Sequence, residues 1–122
     1  MNVRKVYIDA YRQVNLGGSQ RYPEAQEAIK KEFEKGTLIF NYIGHGGEEY
    51  LATEKVIDIP FINALKNINN LTVFFTATCE FSRYDDGKRK SAGEYVITNP
   101  NGGAIAMFTT VRVVYASANT IL

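Results

Sequence analysis

The chain has 122 residues, 45% of them hydrophobic and 22% charged, and its 14 basic and 13 acidic side chains leave a formal charge of +1. That is the balance of one soluble globular domain spanning residues 1–122, long enough to bury a core without staples. One cysteine and one histidine exclude an internal disulfide and an ordinary zinc site of Cys and His ligands, so no metal and no cofactor is expected. Near-neutrality also removes the electrostatic footprint of a nucleic-acid partner or an anionic membrane surface, and no apolar run reaches the ~20 residues of a spanning helix.

In chain order, the alternating run Val6-Tyr7-Ile8-Asp9-Ala10 predicts a half-exposed edge strand. A helix is expected over residues 23–35, with Ala25, Ala28, Ile29 and Phe33 on one stripe and Gly36 as terminator. Residues 38–43 form a nearly continuous apolar run, as strands covered on both faces do. A short helix begins near Asp58, its N-cap, with Phe61, Ile62 and Leu65 inward. A second continuous strand follows over 71–77. A third helix starts at Ser91-Ala92-Gly93-Glu94, which has capping-box spacing, and stops before Asn99-Pro100-Asn101-Gly102. A last strand covers 103–109. Strand and helix in alternation mean a parallel sheet wrapped by helices, whose ligand sites lie beyond the carboxyl ends of the strands. The abrupt ends, a strand-like run at the start and Ala118-Asn119-Thr120-Ile121-Leu122 at the finish, suggest a piece of a longer protein.

The second strand runs into Gly44-His45-Gly46-Gly47 and the third into Thr78-Cys79-Glu80. The single histidine and single cysteine therefore sit at equivalent strand exits, ~5 Å apart if the strands are neighbours. A thiolate nucleophile beside an imidazole base is the chemistry of covalent acyl transfer. The N–H groups of Gly46 and Cys79 are candidates for an oxyanion hole. Each residue also has a structural reading: Cys79 as a small buried hydrophobe, and the glycine-rich turn as a turn only. A phosphate-binding role for the turn fails, because it lacks the Lys and Ser or Thr of a P-loop.

With these motifs, the segments Asn41-Tyr42-Ile43-Gly44-His45-Gly46-Gly47 and Thr76-Ala77-Thr78-Cys79-Glu80-Phe81-Ser82 resemble the gingipain family of caspase-like (clan CD) cysteine peptidases. The further strings Arg83-Tyr84-Asp85-Asp86, Ser91-Ala92-Gly93-Glu94, Gly102-Gly103-Ala104-Ile105-Ala106 and Thr109-Thr110-Val111-Arg112-Val113-Val114-Tyr115 are similar to its secretion-sortase branch. The resemblance implies a three-layer caspase-like α/β fold, a mostly parallel sheet with helices on both faces, of which this chain would be the incomplete carboxy-terminal part. It implies His45 and Cys79 as the catalytic pair. It also implies a role at the bacterial cell surface: removal of carboxy-terminal signals from type IX secretion cargo, transfer of the acyl group to a lipopolysaccharide amine, and other secretion-system components as partners. The alternative is a non-enzymatic α/β interaction or assembly module, or an inactive fragment, with inert His and Cys.

Around the pair, Glu80 and Arg112 are candidates for substrate binding, though Glu80 fits a solvent-facing position at the strand exit equally well and a surface salt bridge is the better reading of Arg112. The loop over 82–90 reads as a solvated surface loop that could wall a specificity pocket. The family's upstream acidic residue has no motif here; Asp9, the only carboxylate of the first run, reads better as a solvated edge residue.

Overall fold

A computed structural model describes residues 2–115. The first apolar run is not a strand. Ile8–Ala10 form a single 3-10 turn, closed by the Tyr11 N–H on the Ile8 carbonyl. Val6 and Ile8 are partly buried against the core, so their spacing is satisfied by packing instead of strand pairing. A hairpin follows that the periodicity did not suggest: β1 (Val14–Leu16) pairs antiparallel with β2 (Ser19–Arg21). Its two-residue turn, Gly17-Gly18, has φ of 59° and 81°, which a side chain would resist.

Helix α1 (Pro23–Lys35) has the expected limits. Proline at its first turn needs no N–H partner, and Gly36 closes it with φ 105°. Its buried stripe is Ala25, Ile29 and Phe33. Strand β3 (Ile39–Ile43) leads into three very short strands, β4 (Gly46–Gly47), β5 (Tyr50–Leu51) and β6 (Ile57–Asp58), which form a small antiparallel sheet. Helix α2 (Ile59–Asn63) is capped by Asp58, whose carboxylate accepts the Phe61 N–H at 3.0 Å. Strand β7 (Thr72–Ala77), helix α3 (Ala92–Thr98) and strand β8 (Ala104–Phe108) complete the described elements. At the start of α3 the Glu94 carboxylate accepts from both the Ser91 N–H (2.7 Å) and the Ser91 hydroxyl (2.8 Å).

The principal sheet has the order β3-β7-β8 and is wholly parallel. The chain is thus α/β, as expected. Its core lies on one face, where Phe33, Phe40, Phe74 and Phe81 run in sequence with ring centroids 5.1, 4.5 and 5.9 Å apart. Phe61, Ile62, Leu65 and Val96 from α2, its C-terminal turn and α3 join the same cluster, as does Ile29 from α1. All three helices therefore cover the same face.

The opposite face carries Ile39, Ile43, Phe75 and Phe108 and has no helix over it among the described residues. Phe75 and Phe108 stack with centroids 4.5 Å apart, and Ile43 is 75% exposed. The continuous apolar runs of β3 and β7 reflect two apolar faces; within the described residues only one of them is covered.

Asn67 fixes the entrance to β8 from within the core. Its amide donates to the Gly103 carbonyl (3.0 Å) and accepts the Gly103 N–H (2.8 Å). A buried side-chain amide is tolerated because its bonds are made.

Candidate active site

The register of the parallel sheet positions the site. Ile43 at the end of β3 lies opposite Ala77 at the end of β7. One further backbone bond, from the Gly44 N–H to the Ala77 carbonyl (3.2 Å), carries the pairing one step beyond the strands. His45 and Cys79 each follow two residues after that last pair, on adjacent strands. Neighbouring strands are about 4.8 Å apart, so His45 and Cys79 follow the two strands at the same edge of the sheet.

The backbone of His45 is held on two sides while its ring is exposed. Its carbonyl accepts the Tyr42 hydroxyl at 2.7 Å and the Ala52 N–H at 2.8 Å. Burial pushes the Tyr42 phenol above its usual pKa, a rise partly offset by a hydrogen bond from the Ala52 backbone. Cys79 is half-buried, and its thiol donates to the Val114 carbonyl at 3.6 Å, not to the His45 ring.

Gly46 is glycine because of Thr78. A Cβ on Gly46 would stand 2.3 Å from Thr78 Oγ1 and 3.1 Å from the Tyr50 carbonyl oxygen. Thr78 precedes the candidate nucleophile and is 1% exposed, and its hydroxyl has no hydrogen-bond partner among the described residues. The two strand exits are therefore in direct contact beneath His45 and Cys79. Gly46 lies opposite Leu51 in the β4–β5 ladder, one residue on from the hydrogen-bonded His45 and Ala52. By the alternation of an antiparallel ladder, its N–H points away from β5.

Glu80 has φ 49°, a left-handed conformation unusual for a residue with a side chain. Its N–H donates to the Arg112 carbonyl (3.4 Å), and its carboxylate lies 3.5 Å from Arg83. Arg112 is engaged by a neighbour: its two terminal nitrogens grip the two oxygens of Asp85, one of them at 2.7 Å. That bond holds the Asp85 carboxyl below the usual range. Asp9 is exposed in the 3-10 turn.

The loop after Cys79 folds into a charged, open hollow of about 620 Å³, lined by Arg83, Asp85, Asp86, Lys88, Arg89 and Arg112. Four residues around the site escaped the sequence reading: Tyr42, Glu48, Thr78 and Arg83. Tyr42 was visible as an apolar strand residue, but nothing in a strand pattern says that its hydroxyl will turn back onto the chain three residues later. The other three act through contacts that no local spacing encodes.

The model of peptidase family C25 matches residues 1–122 in full. The chain belongs to peptidase family C25. C25 is the gingipain family of cysteine peptidases, in agreement with the strand-exit motifs. Among solved structures, the complex of the pro- and mature domains of RgpB from Porphyromonas gingivalis is similar, with a TM-score of 0.65 at 21% sequence identity. The match covers 77% of this chain and 23% of that one, so this C25 chain spans under a quarter of the solved chain's length. At that identity the likeness is one of fold. None of the curated proteins is significantly similar in sequence.

Proposed function

We propose that the protein is a cysteine endopeptidase with Cys79 as nucleophile and His45 as its acid and base. The observation that carries this reading is the register: two adjacent parallel strands end in step, and the only histidine and only cysteine follow each at the same offset. Cys79 Sγ gives its proton to the His45 ring and attacks the scissile carbonyl carbon. The resulting oxyanion is met by the N–H groups of Gly46 and Cys79, each such donor contributing about 3 kcal/mol in the transition state. Collapse breaks the C–N bond, and His45 returns the proton to the departing amine, leaving a thioester on Cys79. Water or a primary amine then gives a proton to His45, attacks the thioester carbonyl and expels the thiolate.

The finer reading is a PorU-like sortase of the type IX secretion system. Its substrates are cargo proteins with a carboxy-terminal secretion signal, its acceptor a lipopolysaccharide amine, and its place the outer surface of the outer membrane among other secretion components. It is supported by the extended strings around Cys79 and Ser91. A thioester open to both water and amines accounts for hydrolysis and transfer alike. The Arg112–Asp85 pair lines the charged hollow after Cys79, and Glu80 adjoins the nucleophile in sequence; these are the candidate specificity groups.

A second reading, an inert assembly or interaction module, is favoured by one observation: the thiol bonds to the Val114 carbonyl and not to His45. Mass spectrometry separates the two. A peptide carrying a secretion signal should leave its acyl group on Cys79, and an added primary amine should divert the product from acid to amide. Absence of acylation would favour the inert module; acid product alone would leave a peptidase but remove the sortase.

A further inference from the structure

Past the Gly44–Ala77 bond the two strand exits turn to different backbone partners. The His45 carbonyl bonds to the Ala52 N–H, whereas the Glu80 N–H bonds to the Arg112 carbonyl. Beyond the Gly46–Thr78 contact, one side chain ties the two exits together. Nη1 of Arg83 lies 2.7 Å from Oε1 of Glu48 and 3.5 Å from Oε1 of Glu80. Glu48 is three residues beyond His45, and Glu80 directly follows Cys79. One guanidinium thus holds a carboxylate from each strand exit.

Glu48 is secured further. Arg89 Nη1 stands 3.2 Å from its other oxygen, and its carbonyl accepts the Ala92 N–H at 2.6 Å. The Arg83 and Glu48 side chains are 32% and 20% exposed, so water screens their attraction less than it would a surface pair. Arg83 Nε is buried and has no hydrogen-bond partner among the described residues. A single nitrogen, Nη1, reaches both carboxylates, carried on a rigid guanidinium plane that a lysine's flexible ammonium does not reproduce.

We propose that Arg83 and Glu48 are positioning residues whose ion pair sets the separation of His45 and Cys79, and with it the ease of proton transfer from thiol to imidazole. The inference rests on the peptidase reading above. Neither residue touches the reacting atoms; each acts through the segment it anchors.

The test is the rate of iodoacetamide alkylation against pH, unambiguous because Cys79 is the only cysteine. A working pair gives the native chain a low-pH limb that His45→Ala abolishes. Arg83→Met and Glu48→Gln should each lower the rate at pH 6 by about tenfold, with the double variant no lower, since coupled residues are not additive. Arg83→Lys should recover part of the loss. Arg21→Met, which breaks the comparably exposed Arg21–Asp58 pair at 3.4 Å, should leave the limb in place. Unfolding midpoints for all variants accompany the rates, and the near-isosteric Glu48→Gln serves if Arg83→Met fails to fold. A limb unchanged in Glu48→Gln and Arg83→Met, or lost equally in Arg21→Met, overturns the positioning role alone. A native chain with no low-pH limb overturns the peptidase reading itself, and this inference with it.

Discussion

The Tyr42 hydroxyl donates to the His45 carbonyl across 2.7 Å, so the strand that delivers the histidine also clamps it. Tyr42 packs over Gly44, where a Cβ would meet the hydroxyl at 2.7 Å. The clamp requires the neutral phenol, and burial raises the phenol pKa above 10.0 in the folded chain. Between pH 10 and that raised value the folded chain binds more protons than the unfolded one, so stability falls as pH rises. Tyr42→Phe removes this dependence. Urea titrations at pH 7 and above pH 10 should show a steeper alkaline loss in the native chain than in Tyr42→Phe, and equal slopes would refute the assignment.

Gly46→Ala should greatly reduce Cys79 reactivity. The added methyl would stand 2.3 Å from Thr78 Oγ1, and Thr78 is fully buried and cannot swing into solvent. Thr78→Ala removes a hydroxyl that makes no hydrogen bond to any described residue. The double variant should therefore regain much of the reactivity lost in Gly46→Ala. If Thr78→Ala gives no rescue, the clash lies with the Tyr50 backbone instead.

The Arg112–Asp85 pair governs the order of the loop more than global stability, since exposed ion pairs contribute little. The Asp85 carboxyl is held below 3.8, chiefly by the Arg112 hydrogen bond, so the pair's contribution is complete above that pH and is lost only as pH falls through the lower folded value. At neutral pH, Asp85→Asn should speed tryptic cleavage after Lys88 and Arg89 several-fold while the unfolding midpoint stays fixed. Unaltered cleavage would mean that the loop is held by the Arg83 and Arg89 contacts alone.

Asp58→Ala should destabilise the chain by about 1 kcal/mol through loss of the α2 cap. Asp58→Asn keeps an oxygen for the Phe61 N–H and loses only the Arg21 partner, so it should retain most of that stability. Chemical denaturation distinguishes them, and equal losses would assign the effect to Arg21 instead.

The elements the sequence revealed are those whose cause is local. Helix α1 is bounded by Pro23 and Gly36, and α2 and α3 start at side chains that satisfy their own first-turn donors, so pattern and outcome coincide. The three long strands lie within a residue or two of their apolar runs, and their ends bring His45 and Cys79 to one edge. The failures have non-local causes. Val6 and Ile8 alternate like a strand but pack onto the core without a strand partner. The two-residue strands β4, β5 and β6 are too short to show a period. Gly17-Gly18 was a readable hairpin signal that the long apolar runs outweighed. The contacts of Arg83 with Glu48 and of Gly46 with Thr78 join residues more than thirty apart in sequence, and no spacing rule reaches that far.

The side of the parallel sheet that no helix covers among the described residues has a practical consequence. Ile39, Ile43 and Phe108 present hydrocarbon to water beside the partly exposed Phe75, and such a surface favours hydrophobic dyes, detergents and its own copies. A concentrated preparation of the chain should fluoresce with ANS while fully folded, and should scatter light more strongly with added sulfate. Dye uptake by the folded chain would then record that apolar face and be no sign of unfolding.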